Sequence, residues 1–138
     1  MAAVNIRDTG RNSARTSDVR ELATKVQKPS DTEAITAANT ITAAESGTRF
    51  IMNTATARIQ TLPTAAAGLE YWFYVGATEP TGSHTIVTAS SANVIVGNVS
   101  SPEDAAGSVA TVTDADTISL VASKAVHGDY VHVWSDGT

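Results

Sequence analysis

From residue 31 to residue 138 the sequence is cut into short pieces by turn residues, and within most pieces apolar and polar side chains alternate. A period of two suits a strand with one face buried, and such strands bounded by Gly, Pro, Asn, Asp and Ser are the pattern of an all-β domain. The strongest piece is 69–75. It sets Leu69, Tyr71, Phe73 and Val75 on one face and Glu70, Trp72 and Tyr74 on the other. Piece 48–53 sets Phe50 and Met52 against Arg49 and Ile51. Piece 57–62 places Ile59 between Arg58 and Gln60 and ends at Pro63. Further strands are expected at 34–42, 84–89, 93–99, 108–113, 117–122 and 129–135. Turn signals separate them at 79–82, 100–102, 113–116, 127–129 and 136–137. About nine strands at this spacing predict an antiparallel β-sandwich or a jelly-roll-like barrel. Piece 34–42 holds a near-repeat, Ile35-Thr-Ala-Ala-Asn-Thr followed by Ile41-Thr-Ala-Ala-Glu-Ser. Two copies are too few for a β-helix. The repeat reads as one long strand or two short ones, with Ile facing inward.

Composition agrees. Ala, Thr and Ser supply 23, 20 and 13 of the 138 residues, while charged residues are 17% and aromatics 5%. Bundles of long solvated helices draw more heavily on Glu, Lys, Arg and Leu. The chain has no Cys, which excludes disulfide scaffolds, thiolate zinc sites and Cys nucleophiles. It has no apolar run of about 18 residues, so no membrane span is expected. Its first twenty residues are polar and lack the apolar core of a secretory signal.

The charge is unevenly placed. Residues 1–28 carry six basic groups (Arg7, Arg11, Arg15, Arg20, Lys25, Lys28) against Asp8, Asp18 and Glu21, a net of +3. Residues 29–138 carry three basic and eleven acidic groups, a net of -8, and the two sum to the chain's -5. This predicts a basic N-terminal arm over 1–30 and a β-sandwich domain over 31–138. Within the arm, Asp18 and Glu21 have the spacing of a capping box. Val19, Leu22 and Val26 then share one helical face, and Pro29 and Ser30 stop the helix. A stripe that narrow does not hold a helix of about ten residues in water, so it needs a surface to lie on.

The chain carries little that points to catalysis. Ser, His and Asp are present without a Gly-x-Ser-x-Gly elbow, and phosphate-binding glycine loops are missing. His84, His127 and His132 have no metal-ligand spacing, so no metal and no cofactor are expected. Asp114-x-Asp116 and Glu103-Asp104 are oxygen-rich but lie outside any EF-hand loop, and read as strand connectors. Alternation places Tyr130, His132 and Trp134 on one strand face. With Trp72 and Tyr74 they form a candidate surface for a ligand or a neighbouring subunit.

Several segments go beyond composition. Ile41-Thr-Ala-Ala-Glu-Ser-Gly-Thr-Arg-Phe is followed by Thr61-Leu62-Pro63-Thr64-Ala65-Ala66-Ala67-Gly68-Leu69-Glu70-Tyr71-Trp72-Phe73-Tyr74-Val75. Later come Thr117-Ile118-Ser119-Leu120 and the segment from Gly128-Asp129-Tyr130 to Ser135-Asp136-Gly137-Thr138. Over roughly residues 35–138 this resembles the β-domain of small virion proteins of tailed bacteriophages: head decoration (cement) proteins, head fibres and some tail-fibre modules. Such domains often continue past the Ser-Asp-Gly-Thr turn into another strand. That implies an edge here that is open or completed by a neighbouring chain. The resemblance transfers no catalytic residue. It implies a non-enzymatic structural protein of the virion exterior, assembled in the bacterial host cytoplasm. Its expected partners are the major capsid protein and other copies of itself, as a homotrimer. The arm would carry the capsid contact through Arg7, Arg11, Arg15 and Arg20, with Val19, Leu22 and Val26 docking. A second expectation is a head-fibre or tail-tip module that binds host glycans through Trp72, Tyr74, Tyr130, His132 and Trp134. Nucleic acid is a poor third: no aromatic interleaves the arginines, and the body is acidic.

Overall fold

The structure is a computed structural model that describes residues 31–90, 93–100 and 109–138. The arm residues Arg7, Arg11, Arg15, Arg20, Val19, Leu22 and Val26, the helix expected at 18–28 and the Glu103-Asp104 pair lie outside the described residues. Ten strands follow in order: β1 (Thr32–Ile35), β2 (Asn39–Thr40), β3 (Arg49–Met52), β4 (Ile59–Thr61), β5 (Glu70–Val75), β6 (His84–Val87), β7 (Ile95–Ser100), β8 (Val109–Ala115), β9 (Thr117–Leu120) and β10 (Tyr130–Trp134). The domain is all-β, as the alternation predicts. A single 3-10 turn at Ala43–Glu45 is the one helical element among the described residues.

The strands form two open four-stranded sheets and a separate ribbon. Among the described residues, sheet 1 has the order β1-β3-β5-β10, sheet 2 the order β2-β4-β6-β9, and β7 pairs only with β8. One core cluster takes residues from both large sheets, which makes them a sandwich rather than a closed barrel. The expected antiparallel pairing holds for only part of it. β1, β3 and β5 run parallel, as do β2, β4 and β6. Antiparallel pairing joins β10 to β5, β9 to β6 and β7 to β8. The reason is in the connections. From β1 to β6 the chain crosses from one sheet to the other at each step, so it re-enters each sheet running the same way. Side-chain alternation has the same period in both kinds of ladder and cannot reveal this. The near-repeat marks the first crossing. Ile35 ends β1 in sheet 1 and Ile41 follows β2 in sheet 2, and both point into the core.

The core is Ile35, Ile41, Phe50, Met52, Leu62, Tyr71, Phe73, Val75, Ile86, Leu120 and Ala125. Phe50 and Phe73 sit opposite each other in the β3–β5 register and stack at 5.3 Å between centroids. Each fully buried large side chain contributes roughly 1.5–3 kcal/mol. Strand β4 inverts its simple reading: Ile59 is 53% exposed, while Gln60 is fully buried. Gln60 shares its facing with buried Leu62 and registers with buried Ile86, so the strand is set by those two. Gln60 Nε2 donates to the Ala37 carbonyl, which partly offsets its desolvation.

Parts of three of the four segments that carry the resemblance, around Gly47, Gly68 and Ser135, meet at one end of sheet 1, while the fourth, Thr117–Leu120, is β9 of sheet 2. The Gly47 amide donates to the Glu70 carbonyl, and the Glu70 amide donates to Ser46 Oγ. The Gly68 amide donates to the Ser135 carbonyl, and the Ser135 amide donates to the Leu69 carbonyl. Gly137 has φ +99°, a conformation that favours glycine, and a Cβ there would crowd the Ala67 nitrogen at 3.0 Å. These segments are corners that hold β10 onto β5. Tyr71 pins the same end: its hydroxyl donates to the Thr42 carbonyl, and burial, then the Glu45 charge, push its ionisation up. Glu45 in turn accepts from both the amide and the hydroxyl of Thr42.

Candidate functional site

Strand β5 is buried on one side and half-buried on the other. Tyr71, Phe73 and Val75 enter the core, leaving Glu70, Trp72 and Tyr74 on the outer face of sheet 1. Strand β10 does the same more weakly, with Val131 and Val133 packing inward and Tyr130, His132 and Trp134 exposed. The antiparallel register sets Tyr130 opposite Tyr74, His132 opposite Trp72 and Trp134 opposite Glu70. All five aromatic and imidazole side chains expected from sequence therefore share one face. Arg49 and Ile51 of β3 continue the two rows beside Trp72 and Tyr74.

The rings pair off across the strands. Trp72 and His132 stack at 3.6 Å, with 4° between their planes. Tyr74 and Tyr130 stack at 5.8 Å and 29°. His132 Nε2–H donates to Glu70 Oε1 at 2.7 Å, a diagonal contact absent from the sequence reading. Glu70 lies on the Trp72 and Tyr74 side of its strand, so alternation was the signal that could have found it. At this exposure the pair contributes at most about 1 kcal/mol, and its main effect is to fix the imidazole plane against the indole. Trp134 is 68% exposed and Tyr130 62%. Trp134 has no ring partner among the described residues and is the most open aromatic plane of the face.

β10 is also the edge of sheet 1. The Asp129 carbonyl accepts from the Val75 amide and the Ser135 amide donates to the Leu69 carbonyl, so the odd-numbered residues bond inward to β5. By alternation, the backbone groups of Tyr130, His132 and Trp134 face the open edge. This face can stack, bury apolar surface and pair along its edge.

Among the described residues no three His, Cys, Asp or Glu side chains form a metal-binding group. His132 is on this face, His127 is exposed in the turn before β10, and His84 is buried at the start of β6. Asp114 and Asp116 lie where β8 gives way to β9. Asp114 takes a φ of +59°, Asp116 Oδ1 accepts from the Thr117 hydroxyl, and the Asp116 carbonyl accepts from the Thr88 amide. These are connector roles. Asp136 is held below the usual carboxylate range, first by the Thr138 hydroxyl and then by the Thr138 amide, and serves the closing turn. Among the described residues nothing points to catalysis, and no helix is long and apolar enough to cross a membrane.

Alternation missed one surface. The ribbon β7–β8 projects exposed valines, Val96 at 69% and Val99 at 53%. Its signal was present in Val94-Ile95-Val96-Gly97-Asn98-Val99, an apolar run without the polar alternation of the other strands.

No family model matches the chain, and no curated protein or solved structure matches it either.

Proposed function

We propose that this chain is a structural, non-enzymatic protein of a tailed-phage virion. It decorates and stabilises the outer capsid surface, docks on the major capsid protein through its basic arm, and associates with its own copies as a homotrimer. The observation that carries the reading is the charge split, +3 over residues 1–28 and -8 over residues 29–138. A basic arm on an acidic body is suited to one oriented attachment. The meeting of three of the four resembling segments at one end of sheet 1 adds support. Many weak contacts repeated on a lattice make modest single affinities sufficient.

The test is co-sedimentation with capsids lacking this protein, run with the intact chain and with a chain lacking residues 2–28. Saturable binding of the intact chain at a lattice stoichiometry is expected. The shortened chain should keep its β-sheet circular dichroism and lose about 100-fold or more in apparent affinity. Equal saturation by both chains would remove the arm from the contact. No binding by either would remove the capsid reading.

The exposure of Tyr130 and Trp134 favours one further reading, a head-fibre or tail-tip module that binds host glycans. Trp72 and Tyr74 already stack on His132 and Tyr130, so Trp134 is the plane a sugar ring would cover first. On that reading a glycan array gives defined hits, and Trp134→Ala weakens them about tenfold or more. An array without hits ends it.

A further inference from the structure

The ribbon β7–β8 is inserted between β6 and β9, the last two strands of sheet 2, and pairs with neither sheet. Two strands alone are at best marginally stable in water; a third strand or a packing surface is needed. One face of the ribbon is wholly apolar. Ile95, Gly97 and Val99 alternate onto it, with Val112 opposite Gly97 and Ala115 opposite Ile95. Val99 is 53% exposed there, and Gly97 leaves the middle of the face flat.

The outer face of sheet 2 is uncharged, with Val87 and Ile59 set among Thr and Ser side chains. Register and burial place Thr40, Thr61, Val87 and Thr117 in one row across the four strands, and Ile59, Thr85 and Ser119 in the next. None of the seven is charged, and Ile59 stands 53% exposed among them. A mostly β-branched face without charge is unusual on a body of net -8. Two such bodies repel except where their neutral faces meet. Size agrees too. Six residues of β7 span roughly 20 Å, and four strands side by side span roughly 19 Å.

We infer that the apolar face of the β7–β8 ribbon packs onto the outer face of sheet 2 of a second copy of this chain. Donor and acceptor surfaces differ, so the contact is head-to-tail, and a closing rotation makes a ring in which each copy gives one ribbon and receives one. The inference rests on the self-association in the reading above, specifies its interface, and is independent of capsid attachment.

The chain has no Cys, so single cysteines report contacts cleanly. Val99→Cys and Thr85→Cys chains are mixed under mild oxidation and run without reductant. A 99–85 crosslinked pair is expected on mixing, with neither chain crosslinking to itself. Val99→Asp combined with Val112→Asp should weaken self-association about 100-fold or more by light scattering, with the circular dichroism of the sandwich unchanged. Crosslinking of Val99→Cys to itself would mean ribbon-to-ribbon pairing and overturn the proposal. So would a full-length chain that stays monomeric at micromolar concentration, or one whose assembly survives the double aspartate. A chain that forms rings but ignores capsids would sink only the capsid reading. A monomer that binds capsids would sink this inference together with the homotrimer, and leave the capsid attachment standing.

Discussion

Phe73→Ala will lower the unfolding free energy of this domain by about 3–5 kcal/mol, the range for deleting a large aromatic side chain from a core. Phe73 is fully buried in the middle of β5, the strand flanked by β3 and β10 in sheet 1. It stacks on Phe50, so the deletion also strands a ring on the neighbouring strand. Aromatics are only 5% of the chain, and most of the remaining core is Ile, Leu, Val and Met. A small rigid β-core has few ways to collapse into the space. Domains of this size hold roughly 5–15 kcal/mol in total, so the loss is a substantial share of it. Urea denaturation followed by Trp fluorescence measures it. A midpoint shift below the equivalent of about 1 kcal/mol would mean that the two sheets do not share this core.

Much of this fold is legible in the sequence. Alternation placed Phe50, Met52, Tyr71, Phe73 and Val75 inside and Trp72 and Tyr74 outside, because a half-buried strand leaves no other choice. Turn residues set most strand limits to within a residue or two. Pairing direction was illegible, since parallel and antiparallel strands alternate alike. Gln60 was also misleading. A lone polar side chain can be drawn inward when its strand neighbours, here Leu62 and the register to Ile86, have more to gain from burial. For the candidate face, alternation gave its members, but only the register of β10 against β5 gave the partners, Trp72 with His132 and Glu70 with His132. The two strands of the ribbon were legible, but the exposure of its valines was not, for a different reason. Its valines look like core residues, and nothing local in the sequence says that the core is elsewhere.

His84 supports a second large effect, of polar origin. The side chain is fully buried at the first residue of β6. Its Nδ1 accepts from the Arg58 amide at 3.2 Å, so that nitrogen carries no proton, and Nε2–H donates to the Thr54 carbonyl at 3.0 Å. One neutral imidazole thus satisfies two backbone groups of the corner that leads from β3 into β4. Nearby, Arg58 Nε and Gln60 Oε1 are buried with no partner among the described residues, so this end of the sandwich already bears desolvation that good hydrogen bonds must offset. His84→Leu keeps apolar volume and removes both bonds. Each stranded backbone group costs about 1–3 kcal/mol, so a loss of roughly 2–6 kcal/mol is expected. Packing and hydrogen bonding are separable here by amide exchange. If the imidazole is a polar strut, the Arg58 amide exchanges faster in the variant than global unfolding allows, while amides of β5 follow the global change alone. If the His84→Leu variant proves as stable as the parent, the imidazole is filling space and the corner holds itself.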